Sequence, residues 1–173
     1  MKTGRNNKFG GIKMENNKGL SLIELIVVIA IIAILSAGTV ISIGLIFQSD
    51  VKECSHKLAG YIGQAKITTM SKVSGDLELY QDASDKDYYV TISSETTPYK
   101  IGNSGLTITC VTTLGNEIVI SNTNTLKLKF DRSSGAFKYL EGTTDYCNQI
   151  KIQKKTKEIS IYLIPETGKY YID

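Results

Sequence analysis

The sequence contains no tryptophan, one histidine, two prolines and three cysteines in 173 residues. The lone histidine, His56, stands near Cys54 on a helical stretch. Their side chains point in different directions and cannot form a nucleophile–base pair. No Gly-rich phosphate loop, C-x-x-C or H-E-x-x-H pattern occurs, so no catalytic residue, metal site or cofactor is expected. Net charge is also missing from most of the chain. From Asp50 onward 15 basic residues face 15 acidic ones, which gives no general electrostatic reason to bind a polyanion. Charge is absent altogether from Leu25 to Phe47, 23 residues reading LIVVIAIIAILSAGTVISIGLIF.

As a helix that run would reach roughly 34 Å, enough to cross a hydrocarbon core of about 30 Å. In lipid its backbone could be satisfied only as a helix. One acid, Glu24, sits at its start, where a carboxylate is costly and so a functional candidate. The preceding residues, 1–19, carry Arg5 and four lysines against Glu15. Basic flanks mark the cytoplasmic side, so the N-terminus stays inside and the rest of the chain is translocated. A secretory signal peptide would have a shorter apolar core and an A-x-A-like site after it. Here the run continues into SDVKECSHKLAG, and ordinary signal-peptide cleavage is not expected.

From Asp50 to Val73 the pattern becomes amphipathic. Val51, Cys54, Leu58, Tyr61/Ile62, Ala65, Ile67, Met70 and Val73 recur at three- and four-residue steps, with Lys52, Glu53, Lys57, Gln64, Lys66 and Lys72 mostly opposite. One long helix from Leu20 to about Lys72 is expected, ended near Ser74-Gly75. Its first half needs lipid or other chains, and its second half needs a sheet. Beyond Gly75 ten short strands are expected: 77–81, 88–93, 99–101, 106–111, 117–121, 125–131, 136–140, 149–153, 159–165 and 169–172, with Gly-, Asn- and Ser-rich turns between them. The fold class is α+β, a long N-terminal helix packed on an antiparallel sheet of one or two layers. The domain plan is a cytoplasmic leader at 1–19, an apolar helix at 20–48 and a globular headgroup at 49–173.

The stretch KGLSLIELIVVIAIIAIL resembles the N-terminal signal of type IV pilins and of the pseudopilins of type II secretion and competence systems. The resemblance implies cleavage after Gly19 by a prepilin peptidase/N-methyltransferase. It makes Leu20 the mature, N-methylated N-terminus and Glu24 the acid at mature position five. It further implies a structural, non-enzymatic subunit, held in the membrane by residues 20–47. The subunit then enters a surface or periplasmic filament with other pilin subunits through an inner-membrane assembly platform. In an assembly Glu24 would meet the α-amino group of a neighbouring Leu20 and penalise wrong registers, because a lone buried carboxylate is costly. Two departures stand out: Leu20 where phenylalanine is commoner, and Ile41 where proline is frequent. Without that proline, local bending would rest on Ser36, Gly38, Thr39 and Gly44. Close helix packing is the other reading of the two glycines.

LKFDRSSGAFKYL followed by ISIYLIPETGKYYID resembles the C-terminal part of the GspH/FimT group of minor pilins and pseudopilins, through Phe130, Gly135, Pro165, Thr167, Gly168 and Lys169. The three cysteines allow three single bridges. Cys110–Cys147, both in the strand-rich part, is favoured, with buried free thiols as the alternative. Lys151, Lys154, Lys155 and Lys157 form a basic cluster able to contact phosphate, so a DNA-binding pilin for DNA uptake is the alternative function. A solvated hairpin tip explains the cluster equally well. An uncleaved single-pass membrane protein with an extracellular β domain is the third reading.

Overall fold

A computed structural model describes residues 21–71 and 73–173. Gly19, Leu20 and Lys72 lie outside the described residues, as do the side chains of residues 37–45, among them Ile41. The chain divides into two compact units, Met1–Val40 and Ile41–Asp173. One helical element, α1 (Leu22–Met70), supplies residues to both. In the first unit every described side chain from Ser21 to Ser36 is exposed, including Leu22 at 77 % and Ile34 at 73 %. The helix starts where Ser21 caps it: the Glu24 N–H donates to Ser21 Oγ at 3.2 Å and the Leu25 N–H to the Ser21 carbonyl at 3.1 Å. Among the described residues no helix is long and apolar enough to cross a membrane. Ser21 to Ser36 alone would span roughly 24 Å.

The second unit is α+β. Its helical part is followed by nine strands: β1 (Leu77–Gln81), β2 (Tyr88–Ile92), β3 (Tyr99–Gly102), β4 (Thr107–Thr112), β5 (Glu117–Val119), β6 (Leu126–Leu128), β7 (Cys147–Lys154), β8 (Lys157–Ile164) and β9 (Lys169–Ile172). They form two antiparallel sheets, ordered β3-β2-β1-β6 and β5-β4-β7-β8-β9. Alternation sets the faces: Leu77 and Leu79, Tyr88, Val90 and Ile92, Ile108 and Cys110, Ile150 and Ile152 all turn inward. They join Val51, Cys54, Leu58, Ile62 and Ala65 of α1 in one core. Tyr88 ties the layers, its hydroxyl donating to the carbonyls of Leu106 at 3.2 Å and Ile120 at 3.5 Å.

The buried face of the helix differs from the apolar pattern at both ends. Ile67, Met70 and Val73 are 67 %, 44 % and 50 % exposed, whereas Ser55 and Thr69 are buried. These two hydroxyls enter the core without penalty because each bonds back to its own helix. Ser55 Oγ donates to the Lys52 carbonyl at 2.8 Å, and Thr69 Oγ1 to the Ala65 carbonyl at 3.0 Å. After Met70 the chain folds back so closely that a Cβ on Gly75 would strike the Ala65 carbonyl and lie 2.6 Å from Thr69 Oγ1. That close approach requires glycine.

One expected strand does not form. Residues 136–140 make only an isolated bridge, Phe130 with Phe137. Their backbone groups are taken by three different partners: Phe137 N–H by the Pro165 carbonyl at 2.9 Å, Lys138 N–H by Lys129 at 2.8 Å and Leu140 N–H by Asp145 at 2.9 Å. A segment bonded to three places cannot hold one ladder.

Candidate assembly and processing site

Ser21-Leu22-Ile23-Glu24 has the spacing of a capping box, and the structure shows the half in which the serine hydroxyl accepts from the N–H three residues on. Glu24 also lies in the first turn, where the positive end of the helix favours an anion. The observed cap uses the backbone N–H of Glu24, while its carboxylate stands where an acid favours the helix start. The membrane argument for Glu24 misses this placement, although the S-x-x-E spacing signals it. The cleavage position Gly19 and the terminus Leu20 lie outside the described residues.

The residues of the C-terminal resemblance converge in one place. The rings of Phe130 and Phe137 stand 5.1 Å apart, and the Phe137 N–H reaches the carbonyl of Pro165. The turn between β8 and β9 has Gly168 at φ 61°, and a Cβ there would run into the Gly135 carbonyl. A Cβ on Gly135, itself at φ 69°, would push aside the Lys66 and Met70 side chains. Lys66, expected on the solvent side, instead donates from Nζ to the carbonyls of Gly168 at 3.0 Å and Thr167 at 3.3 Å. Lys66 is therefore a clasp between the end of α1 and the final hairpin. Asp131 closes the adjoining loop. Its carboxylate accepts from the Ser133 hydroxyl at 2.6 Å, the Ser134 N–H at 3.0 Å and the Ser134 hydroxyl at 2.9 Å. These bonds, the Ser133 hydroxyl foremost, hold the carboxyl well below the usual range. Such a knot fixes the head against the helix; it offers no reactive group.

Cys110 on β4 and Cys147 on β7 are bonded through their sulfurs, with Cα atoms 6.1 Å apart. Cys54 is free and buried, and burial pushes its thiol up to about 12, far from the thiolate that nucleophilic chemistry needs. A cleft of about 550 Å³ beside the disulfide is lined by Thr112, Leu114, Ile118, Leu140 and Asp145 among others. Its one carboxylate, Asp145, is occupied by the Thr113 hydroxyl and by the Tyr146 N–H at 2.9 Å.

The basic cluster is half neutralised. Lys151 pairs with Glu117 at 2.7 Å, and that bond raises its pKa above the ordinary lysine value. Lys154 pairs with Asp50 of α1 at 2.6 Å, with side chains only 16 % and 21 % exposed. Lys155 and Lys157 form no ion pair among the described residues. The tyrosines arrange as neighbouring pairs, such as Tyr162–Tyr171 with ring centroids 5.1 Å apart and Tyr61–Tyr99 at 4.9 Å.

No curated protein and no solved structure matches the chain. Residues 14–40 match the family model described as the prokaryotic N-terminal methylation motif. That match covers Lys18-Gly19, the capped helix start with Glu24 and the exposed apolar turns, so the chain carries the type IV pilin/pseudopilin signature.

Proposed function

We propose that this chain is a structural subunit, a minor pilin or pseudopilin, of a type IV pilus, type II secretion or competence filament, with no turnover of its own. The observation that carries the proposal is the methylation motif at residues 14–40, joined to an α+β head. Prepilin peptidase cuts after Gly19 and methylates Leu20. Residues 20–47 hold the precursor in the cell membrane, with the N-terminus cytoplasmic and the head outside. The same residues then pack against other subunits as the assembly platform lifts the chain out of lipid. The exposed apolar surface from Leu22 to Leu35 supports this reading, since a helix apolar all round needs such surroundings. Glu24 acts as the register mark. In the wrong register its charge is buried without the partner amine, at a cost of several kcal/mol.

Shearing filaments from cells that express the chain with its partner subunits tests the proposal. The chain is expected in the sheared fraction, and Glu24→Ala is expected in the membrane fraction, cleaved but not assembled. Absence of the wild-type chain from filaments would contradict the structural role. Full incorporation of Glu24→Ala would contradict the register role.

A further inference from the structure

The four lysines of the β7–β8 hairpin do different things. Lys151 answers Glu117 and Lys154 answers Asp50, which leaves Lys155 and Lys157 at the tip. Glu158, the next acid, acts on Lys151. Lys155 sits at φ 54°, a left-handed conformation that glycine or asparagine adopts at less cost. A lysine in such a place is an observation from which a use for the side chain can be inferred. The side chain has a definite position: Lys155 Nζ lies 4.9 Å from the ring centroid of Phe47, and Lys154 Nζ lies 5.4 Å from the same ring. Phe47 is the last residue of the uncharged run. The Lys155 ammonium is therefore held at the level where that run ends.

We propose that the tip of the β7–β8 hairpin is a lipid headgroup contact. Lys155, with Lys157 beside it, binds the phosphates of anionic phospholipids while the uncharged run lies in hydrocarbon. The proposal rests on the membrane-held precursor described above. If Leu25–Phe47 occupies the hydrocarbon, Phe47 lies at its edge and an ammonium within 5 Å of its ring lies among the headgroups. Each lysine so placed favours an anionic surface by about fivefold. Nucleic acid is the weaker fit, because its affinity grows with the number of phosphates neutralised and half the cluster is already paired. The aromatic ring beneath Lys155 fits the apolar edge of a bilayer. The contact would steady the stored precursor at the membrane surface and be given up when the subunit is lifted out.

The test uses the full chain in nanodiscs of phosphatidylcholine, alone or mixed with phosphatidylglycerol. The rate of lysine acylation is read residue by residue by mass spectrometry. Lys155 is expected to react about fivefold more slowly in the anionic disc, with the difference lost at high salt, while Lys127 and Lys129 react alike in both. Lys155→Asn keeps the left-handed turn and removes the charge, and is expected to reduce the lipid-dependent protection of Lys157. Equal Lys155 rates in the two discs, with the protein inserted in both, would overturn the headgroup contact alone. Unchanged protection of Lys157 in Lys155→Asn would remove Lys155 from the site. Failure to enter either disc would overturn the membrane-held precursor as well. Protection of Lys155 by a short DNA duplex, added to phosphatidylcholine discs and as strong as that given by phosphatidylglycerol, would overturn the lipid assignment in favour of nucleic acid.

Discussion

Replacing Gly168 by alanine isolates the knot that holds the last hairpin. Two costs act at this position. The first is conformational: at φ 61° an L-residue with a Cβ pays about 1 kcal/mol or somewhat more. The second is steric, because the new methyl would meet the backbone carbonyl of Gly135, a rigid neighbour, with Lys66 Nζ only 3.2 Å away. Overpacking against such a neighbour adds about 1–3 kcal/mol. Gly115 separates the two costs, for it has φ 84° and nothing within 4 Å of the point where a Cβ would stand. Gly115→Ala is therefore expected to cost about 1 kcal/mol and Gly168→Ala about 3 kcal/mol. At ~4 °C per kcal/mol for a domain of this size, the melting temperatures fall by about 4 °C and about 12 °C. The assay is thermal unfolding in detergent, followed by near-ultraviolet dichroism. With ten tyrosines and no tryptophan that signal is tyrosine's, and the Tyr162–Tyr171 pair flanks the affected turn. Equal losses at Gly115 and Gly168 would refute the close approach of the two loops.

Three further expectations concern the same unit. Lys154→Met should cost about 2 kcal/mol by leaving Asp50 partly buried and unpaired, and Asp50→Asn in the same chain should restore about half; strict additivity in denaturant melts would contradict a direct pair. Opening the Cys110–Cys147 bridge, which closes a sequence separation of 37, should cost about 2–4 kcal/mol. Cys110→Ala/Cys147→Ala should match the reduced wild type and ignore reductant. Asp131 has its carboxyl lowered by the Ser133 and Ser134 bonds, so its contribution is complete above the unfolded value of about 4 and is lost as pH falls through the folded one. The stability advantage of wild type over Asp131→Asn should accordingly shrink in melts taken below about pH 4, and a difference constant with pH would contradict the assignment.

Much of the local structure is legible in the sequence because it depends on short spacings. The helix expected from Leu20 to about Lys72 runs Leu22–Met70, and nine of ten strands lie near their expected places, since periodicity and turn residues act over a few positions. What escapes depends on partners far along the chain. Lys66 reads as a solvent residue because the Thr167 and Gly168 carbonyls that hold it are 101 and 102 residues away. Lys154 reads as part of a free cationic cluster because Asp50 lies 104 residues before it. Ser55 and Thr69 break the apolar stripe, yet their back-bonded hydroxyls make them core residues. The 136–140 segment has strand composition, but its N–H groups go to Pro165, Lys129 and Asp145, far apart along the chain, rather than to one strand. Of the candidate site, the capped start at Ser21 and Glu24 can be read from S-x-x-E spacing alone. The convergence of Phe130, Gly135, Pro165 and Gly168 cannot, because it is a property of the folded head.

The claim on which the rest depends is that the chain is processed at Gly19. Intact-mass and N-terminal peptide analysis of the native protein, from cells with active prepilin peptidase, tests it most directly. The expected product is a chain beginning at Leu20 with one added methyl group on its α-amine. A native protein still beginning at Met1 in those cells would contradict it.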